Sequence, residues 1–133
     1  MRHTRCIITG LMKEISDCNI EIDKVKLAWA SGFYDGEGSI SCRALRLNNA
    51  PRLSLSLSQV ELGPIKKFKR CLWGLGKIYG PMFHGANHIY RWETTGFERC
   101  QMGIILMWNE LSDVKKEQAK KALTLYLERY SEK

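Results

Sequence analysis

Residues 27–40 read LAWASGFYDGEGSI, a helix-like run that closes on two acids, Asp35 and Glu37, among the glycines at 32, 36 and 38 before turning strand-like. The C-terminal end of a helix carries roughly half a negative charge, so a carboxylate there is mildly destabilising unless something offsets it. The offset can be a cation, a basic partner or exposure to solvent, and the rest of the chain has to decide among them.

Upstream, Asp23 is a good N-cap for a helix running to about Asp35. Val25, Trp29 and Phe33 form a large apolar stripe at four-residue spacing, expected in the core, beside a stripe of small residues, Ala28, Gly32 and Gly36. Glycine inside a helix costs about 1 kcal/mol relative to alanine. Close approach of another helix, or of the chain's own sheet, is a reason to keep it.

Downstream of Gly38 the period falls to two. Ser39 to Leu47 reads as a strand, Asn48 to Pro51 as a turn, and Arg52 to Gln59 alternates strictly, with Leu53, Leu55 and Leu57 on one face and Arg52, Ser54, Ser56 and Ser58 on the other. Pro64 opens a helix to about Trp73 that carries Lys66, Lys67, Lys69 and Arg70, and Gly74-Leu75-Gly76 ends it. Lys77 to Tyr79 pairs with His88 to Thr94 across a loop holding Pro81, Gly85 and Asn87. Helices over about Phe97 to Glu110 and Val114 to Tyr130 close the chain. The order α-β-β-α-β-β-α-α predicts an α+β fold, an antiparallel sheet backed by helices on one face. Residues 1–22 show no readable pattern and are taken as an N-terminal extension, with 23–133 as a single domain.

Of the 133 residues, 44% are hydrophobic and 26% charged, which excludes wholesale disorder. The net charge of +7 is concentrated. Residues 39–92 hold Arg43, Arg46, Arg52, Lys66, Lys67, Lys69, Arg70, Lys77 and Arg91 against the single acid Glu61. A basic field confined to one segment implies a polyanionic partner, nucleic acid first and an acidic membrane surface second. No apolar run nears the roughly 20 residues of a spanning helix, and no signal peptide is evident at the start. The five cysteines form no C-x-x-C pair, so reduced thiols in an intracellular compartment are expected, the cytoplasm or an organelle matrix. His84 and His88 have zinc-like spacing but flank a small-residue loop with no cysteine pair, and read as exposed loop histidines.

Two familiar readings of the acidic turn fail. An EF-hand loop starting at Asp35 would put Arg46 where a bidentate carboxylate must stand. A phosphate cradle needs glycines that open a helix, whereas these follow one. A glycine-terminated helix with incidental acids stays open on the residues alone.

The segment Ala30 to Gly38, ASGFYDGEG, with Leu27-Ala28-Trp29 before it and Ser39-Ile40 after it, resembles the signature helix of the LAGLIDADG homing endonucleases. Leu53 to Gln59 resembles the second strand of that family, ending in glutamine, and Val114 to Ala119 the start of its late helix; together these cover residues 24–130. One copy of the signature is present, the single-motif, homodimeric type.

The resemblance implies a site-specific double-strand DNA endonuclease that hydrolyses phosphodiesters at a long pseudo-palindromic site. Two signature helices would pack at the dimer axis through Ala28, Gly32, Gly36 and Asp35. Glu37 and the Gly36 carbonyl would hold Mg²⁺, with Mn²⁺ as a substitute and Ca²⁺ supporting binding only. Gln59 would position water and Lys115 would stabilise charge at the cleaved phosphate. Glu37 stands where the commoner residue is aspartate. The sheet would contact duplex DNA through Arg43, Arg52, Ser54, Ser56, Ser58, Lys77, Tyr79 and Arg91, while Lys66, Lys67 and Lys69 would reach phosphates or serve solubility. The alternative is a non-cleaving binder on the same scaffold, an intron RNA maturase or a transcription regulator. A basic membrane-surface protein ranks last, having no amphipathic anchor.

Overall fold

The computed structural model describes residues 23–43 and 51–131. Its elements are α1 (Lys24–Glu37), β1 (Gly38–Arg43), β2 (Arg52–Gln59), α2 (Leu62–Cys71), β3 (Lys77–His84), β4 (Asn87–Thr95), α3 (Phe97–Met107), a 3-10 turn (Trp108–Glu110) and α4 (Asp113–Ser131). This is the order the sequence pattern predicts. The expected extension over 1–22, the far end of the first strand and the turn residues 48–50 lie outside the described residues.

The four strands form one antiparallel sheet in the order β1-β2-β4-β3. Strict alternation in β2 drives Leu53, Leu55 and Leu57 to exposures of 0–2% on the inner face. Leu57 sits opposite Trp92, and Leu55 lies between Ile40 and Thr94. Each fully buried leucine contributes on the order of 1.5–3 kcal/mol. The helices cover this face, and their contribution is strongly aromatic. Phe68 of α2 meets Trp92 edge-on at 4.8 Å between centroids, and Tyr34 of α1 stacks on Phe68 at 5.9 Å.

Helix α1 starts as expected, with Asp23 Oδ1 accepting from the Val25 and Lys26 N–H groups, both at 3.1 Å. Its inward face differs from the expected stripe. Val25 is 80% exposed and Trp29 and Phe33 are only partly buried, while Leu27, Ala30, Ser31 and Tyr34 face the core. The cause is geometric: at 100° per residue a four-residue spacing drifts 40° per step, so the apolar positions read as one row spread across the helix. Ser31 is tolerated inside because its hydroxyl donates to the Leu27 carbonyl at 2.6 Å.

Three boundaries also move. Helix α2 begins at Leu62, two residues before Pro64; proline fits there because first-turn N–H groups have no helical acceptor. Strand β3 continues through Pro81, beyond the predicted end at Tyr79, by way of a cis Gly80-Pro81 bond and a register shift between Tyr79 and Met82. The hairpin turn is therefore Gly85-Ala86, with Pro81 and Asn87 in strands. His84 and His88 are exposed, as read, but lie in the strand ends flanking that turn.

Helix α2 ends in an unusual way. Trp73 N–H donates to the Arg70 carbonyl at 3.1 Å and Gly74 N–H to the Lys69 carbonyl at 2.9 Å, the paired bonds of a Schellman motif. The left-handed position of that motif, normally glycine, is occupied by Trp73 at φ 54°. A non-glycine residue there costs roughly 1–2 kcal/mol.

Candidate active site and nucleic-acid interface

The two acids of the turn meet different fates. Asp35 reaches across 77 residues to the start of α4, where its Oδ1 accepts from the Ser112 N–H at 2.9 Å. This bond, then the Ser112 hydroxyl, holds the Asp35 carboxyl below its ordinary value. The Ser112 hydroxyl accepts in turn from the Lys115 N–H at 3.4 Å, capping α4. The unfavourable dipole end of α1 is thus offset, for Asp35, by the positive N-terminal end of a second helix. Glu37 has no such arrangement. It is exposed and makes no ion pair among the described residues.

Glycine at 38 is required for space rather than for backbone freedom. Its φ is −85° and ψ 162°, ordinary extended backbone. A Cβ at that position would meet the Tyr34 ring at 2.5 Å. The ring lies over the helix-to-strand junction, with its hydroxyl donating to the Ser39 carbonyl. Burial and the loss of solvent raise the Tyr34 pKa far above that of a free phenol. Tyr34 thereby fixes where α1 ends and hence where Glu37 stands.

Register places the other candidates. Gly38 pairs with Leu57, so Glu37 just before it and Gln59 two residues after Leu57 sit at the same end of the sheet. Gln59 Oε1 accepts from the Val60 N–H at 3.2 Å. Lys115 is only 9% exposed, and its charge helps depress Asp35. It makes no ion pair among the described residues. Ala28, Gly32 and Gly36 lie exposed on α1, and a Cβ at either glycine would meet nothing within 4 Å.

The outer face of the sheet is short and polar. Ser41 and Ser54 share a hydroxyl hydrogen bond at 3.0 Å; Ser39, Ser56, Glu93 and Lys77 make the next row, and Ser58, Arg91 and Tyr79 the one after. Arg43 lies directly opposite Arg52 and both are exposed, a repulsive pairing that an anion would relieve. Arg91 pairs with Glu93 at 2.8 Å, and its Nε is buried without a hydrogen-bond partner among the described residues. Glu93 lies one position beyond the basic segment 39–92, so the charge of that segment does not reveal it. The alternation of β4 is the signal that would have found it, as that of β1 would have found Ser39 and Ser41. The basic residues of α2 lie on the helix-bearing side, because Ile65 and Phe68 turn that helix into the core. The basic segment is therefore divided between two faces.

This architecture matches solved structures. It superposes on I-CvuI, a homing endonuclease solved in complex with its target in the presence of Ca, with a TM-score of 0.63 at 23% identity, over 77% of this chain and 66% of that one. I-GzeII, a LAGLIDADG homing endonuclease in complex with a DNA target, matches at 0.53 and 14% identity over 68% of this chain and 30% of its own. The fold is that of the LAGLIDADG homing endonucleases. I-CeuI, a group I intron-encoded homing endonuclease complexed with DNA, matches at 0.57 and 14% identity over 94% of this chain and 65% of that one. No family model and no curated sequence matches the chain. On the LAGLIDADG fold seen here, α1 carries Glu37 at its C-terminal end and the serine-lined strands lie beside it. No helix among the described residues is long and apolar enough to cross a membrane.

Proposed function

We propose that the chain is a homodimeric, Mg²⁺-dependent, site-specific double-strand DNA endonuclease. The observation that carries the proposal is Glu37, an exposed carboxylate without an ion pair among the described residues, at the end of a helix whose small-residue face is also exposed. Packing that face against a second copy brings two Glu37 side chains together, and two carboxylates so placed repel unless a cation lies between them.

The donor set fits such a cation. Glu37 and the Gly36 carbonyl are oxygen ligands, the chemistry Mg²⁺ selects, with phosphate oxygens completing the shell. Among the described residues there is no cluster of three or more His, Cys, Asp or Glu side chains, so one protomer would supply a partial site. When bound, the cation supplies Lewis-acid polarisation of the phosphate and an activated water. The chain's own residues do the rest. Gln59 spends its Oε1 on the Val60 N–H and keeps its amide N–H groups to orient water. Lys115, nearly buried and without an ion pair among the described residues, offers its charge to the scissile phosphate. Asp35 fixes α4, and so Lys115, against the end of α1. The outer face supplies binding: Arg43, Arg52 and Lys77 neutralise phosphates, and the serines, Tyr79 and Arg91 lie against base edges.

The test is cleavage of a randomised duplex library with Mg²⁺, comparing the wild type with Glu37→Gln, and binding measured in Ca²⁺. Discrete cuts lost in Glu37→Gln with binding retained support the reading. Binding without cuts in either protein replaces it with a non-cleaving binder.

A further inference from the structure

We propose a second nucleic-acid site, for single-stranded polynucleotide, around Trp73 at the end of α2. Trp73 holds the position of the Schellman motif where glycine is strain-free, yet it is left-handed at φ 54° and 50% exposed. A strained, half-exposed indole serves the fold poorly, and strain of this kind collects at functional positions. Its surroundings name the ligand. Trp73 shares an open cleft of about 410 Å³ with Lys66, Lys69, Arg70, Gly74 and Ile78. Three cations lining one cleft with an indole are the equipment for phosphates on either side of a stacked base.

The base must be unpaired, because a duplex exposes only the edges of its bases along its length. The location separates this site from the one above. Ile78 lies opposite core residue Trp92, so the cleft opens on the helix-bearing side at the β3 edge, away from the serine-lined face. The inference stands independently of nuclease activity.

The experiment uses the full chain and fluorescein-labelled oligo-U RNA and oligo-dT of about 12 nucleotides, a length within the usual span of such sites. Trp73→Gly is the informative variant, since glycine is the strain-free residue at that position of the motif: its melting temperature should stay level or rise while single-strand affinity falls about tenfold or more. Lys66→Ala/Lys69→Ala/Arg70→Ala should weaken binding and flatten its salt dependence. Duplex binding in Ca²⁺ should be unchanged in Trp73→Gly, and excess duplex should not displace the single strand. Affinity for either homopolymer supports the site, and the stronger of the two identifies its source as RNA or DNA. Undiminished single-strand binding in Trp73→Gly, displacement by duplex, a marked fall in its melting temperature, or binding only to phosphatidylserine vesicles would each overturn it. Loss of duplex binding in the wild type would sink the proposed nuclease and leave this site standing.

Discussion

Gly38→Ala tests the junction on which Glu37 depends. The added Cβ would lie 2.5 Å from the Tyr34 ring, about 1 Å inside ordinary contact. The ring has little room to retreat: it stacks on Phe68 at 5.9 Å, meets Trp92 edge-on at 6.3 Å and is tied through its hydroxyl to Ser39. The strain must therefore move either the aromatic cluster or the start of β1. Overpacking of this kind costs about 1–3 kcal/mol, and a cost near 2 kcal/mol lowers the melting temperature of a domain this size by roughly 6–10 °C. Calorimetry at fixed protein concentration reads it directly, fixed because association shifts the transition. A double-mutant cycle isolates the cause. In a Tyr34→Ala background the ring is gone, and Gly38→Ala should cost less than about 0.5 kcal/mol. An equal penalty in both backgrounds, or a single-variant shift below about 2 °C, would refute the close-packing account.

Other predictions are independent of that one. Asp35→Ala should lose about 1 kcal/mol at pH 7; because the folded carboxyl titrates below its ordinary 3.8, this stabilisation is complete above that value and disappears as pH falls through the depressed one. Urea melts of both proteins should therefore converge in acid, and a gap that stays constant down to about pH 2 would refute the capping role. On the homodimer proposed above, Gly32→Leu should leave the protomer folded, since nothing lies within 4 Å of an added Cβ, but should abolish self-association in sedimentation velocity; self-association that persists in the variant would move the interface elsewhere. The Cys100 thiol, pushed up to about 12 by burial, should resist iodoacetamide at pH 8 until the protein is denatured, as peptide mass mapping would show. Rapid labelling in the native state would mean that the α3 packing opens readily.

Most of the sheet was legible because β2 alternates without a fault and one register slip would expose three leucines. The order of elements was legible for the same reason, each change of period being marked by glycine or proline. The inward face of α1 was misread because a run of large residues at equal spacing looks like a stripe, whereas the angle per residue decides burial. The end of α2 was misread because Trp73 continues a helical-looking string, and its left-handed backbone leaves no trace in residue type. At the candidate site, the acids stand out in the chain itself, while Gln59 and Lys115 are named only through the family resemblance. What Asp35 holds could not, because its partner Ser112 is 77 positions away and only folding brings the two together.

The serines of the outer face set how the protein can change. A hydroxyl both donates and accepts, so a row of serines lies against any base edge without strongly rejecting one. On the nuclease reading, a face of this composition tolerates drift in its target, and stringency rests on the few longer side chains at its margins. Ser56 and Ser58 also sit opposite the buried register, on the side that carries no core packing. Replacing them with longer side chains would add discrimination with little cost to the fold, so recognition and foldability can evolve on separate sides of one strand.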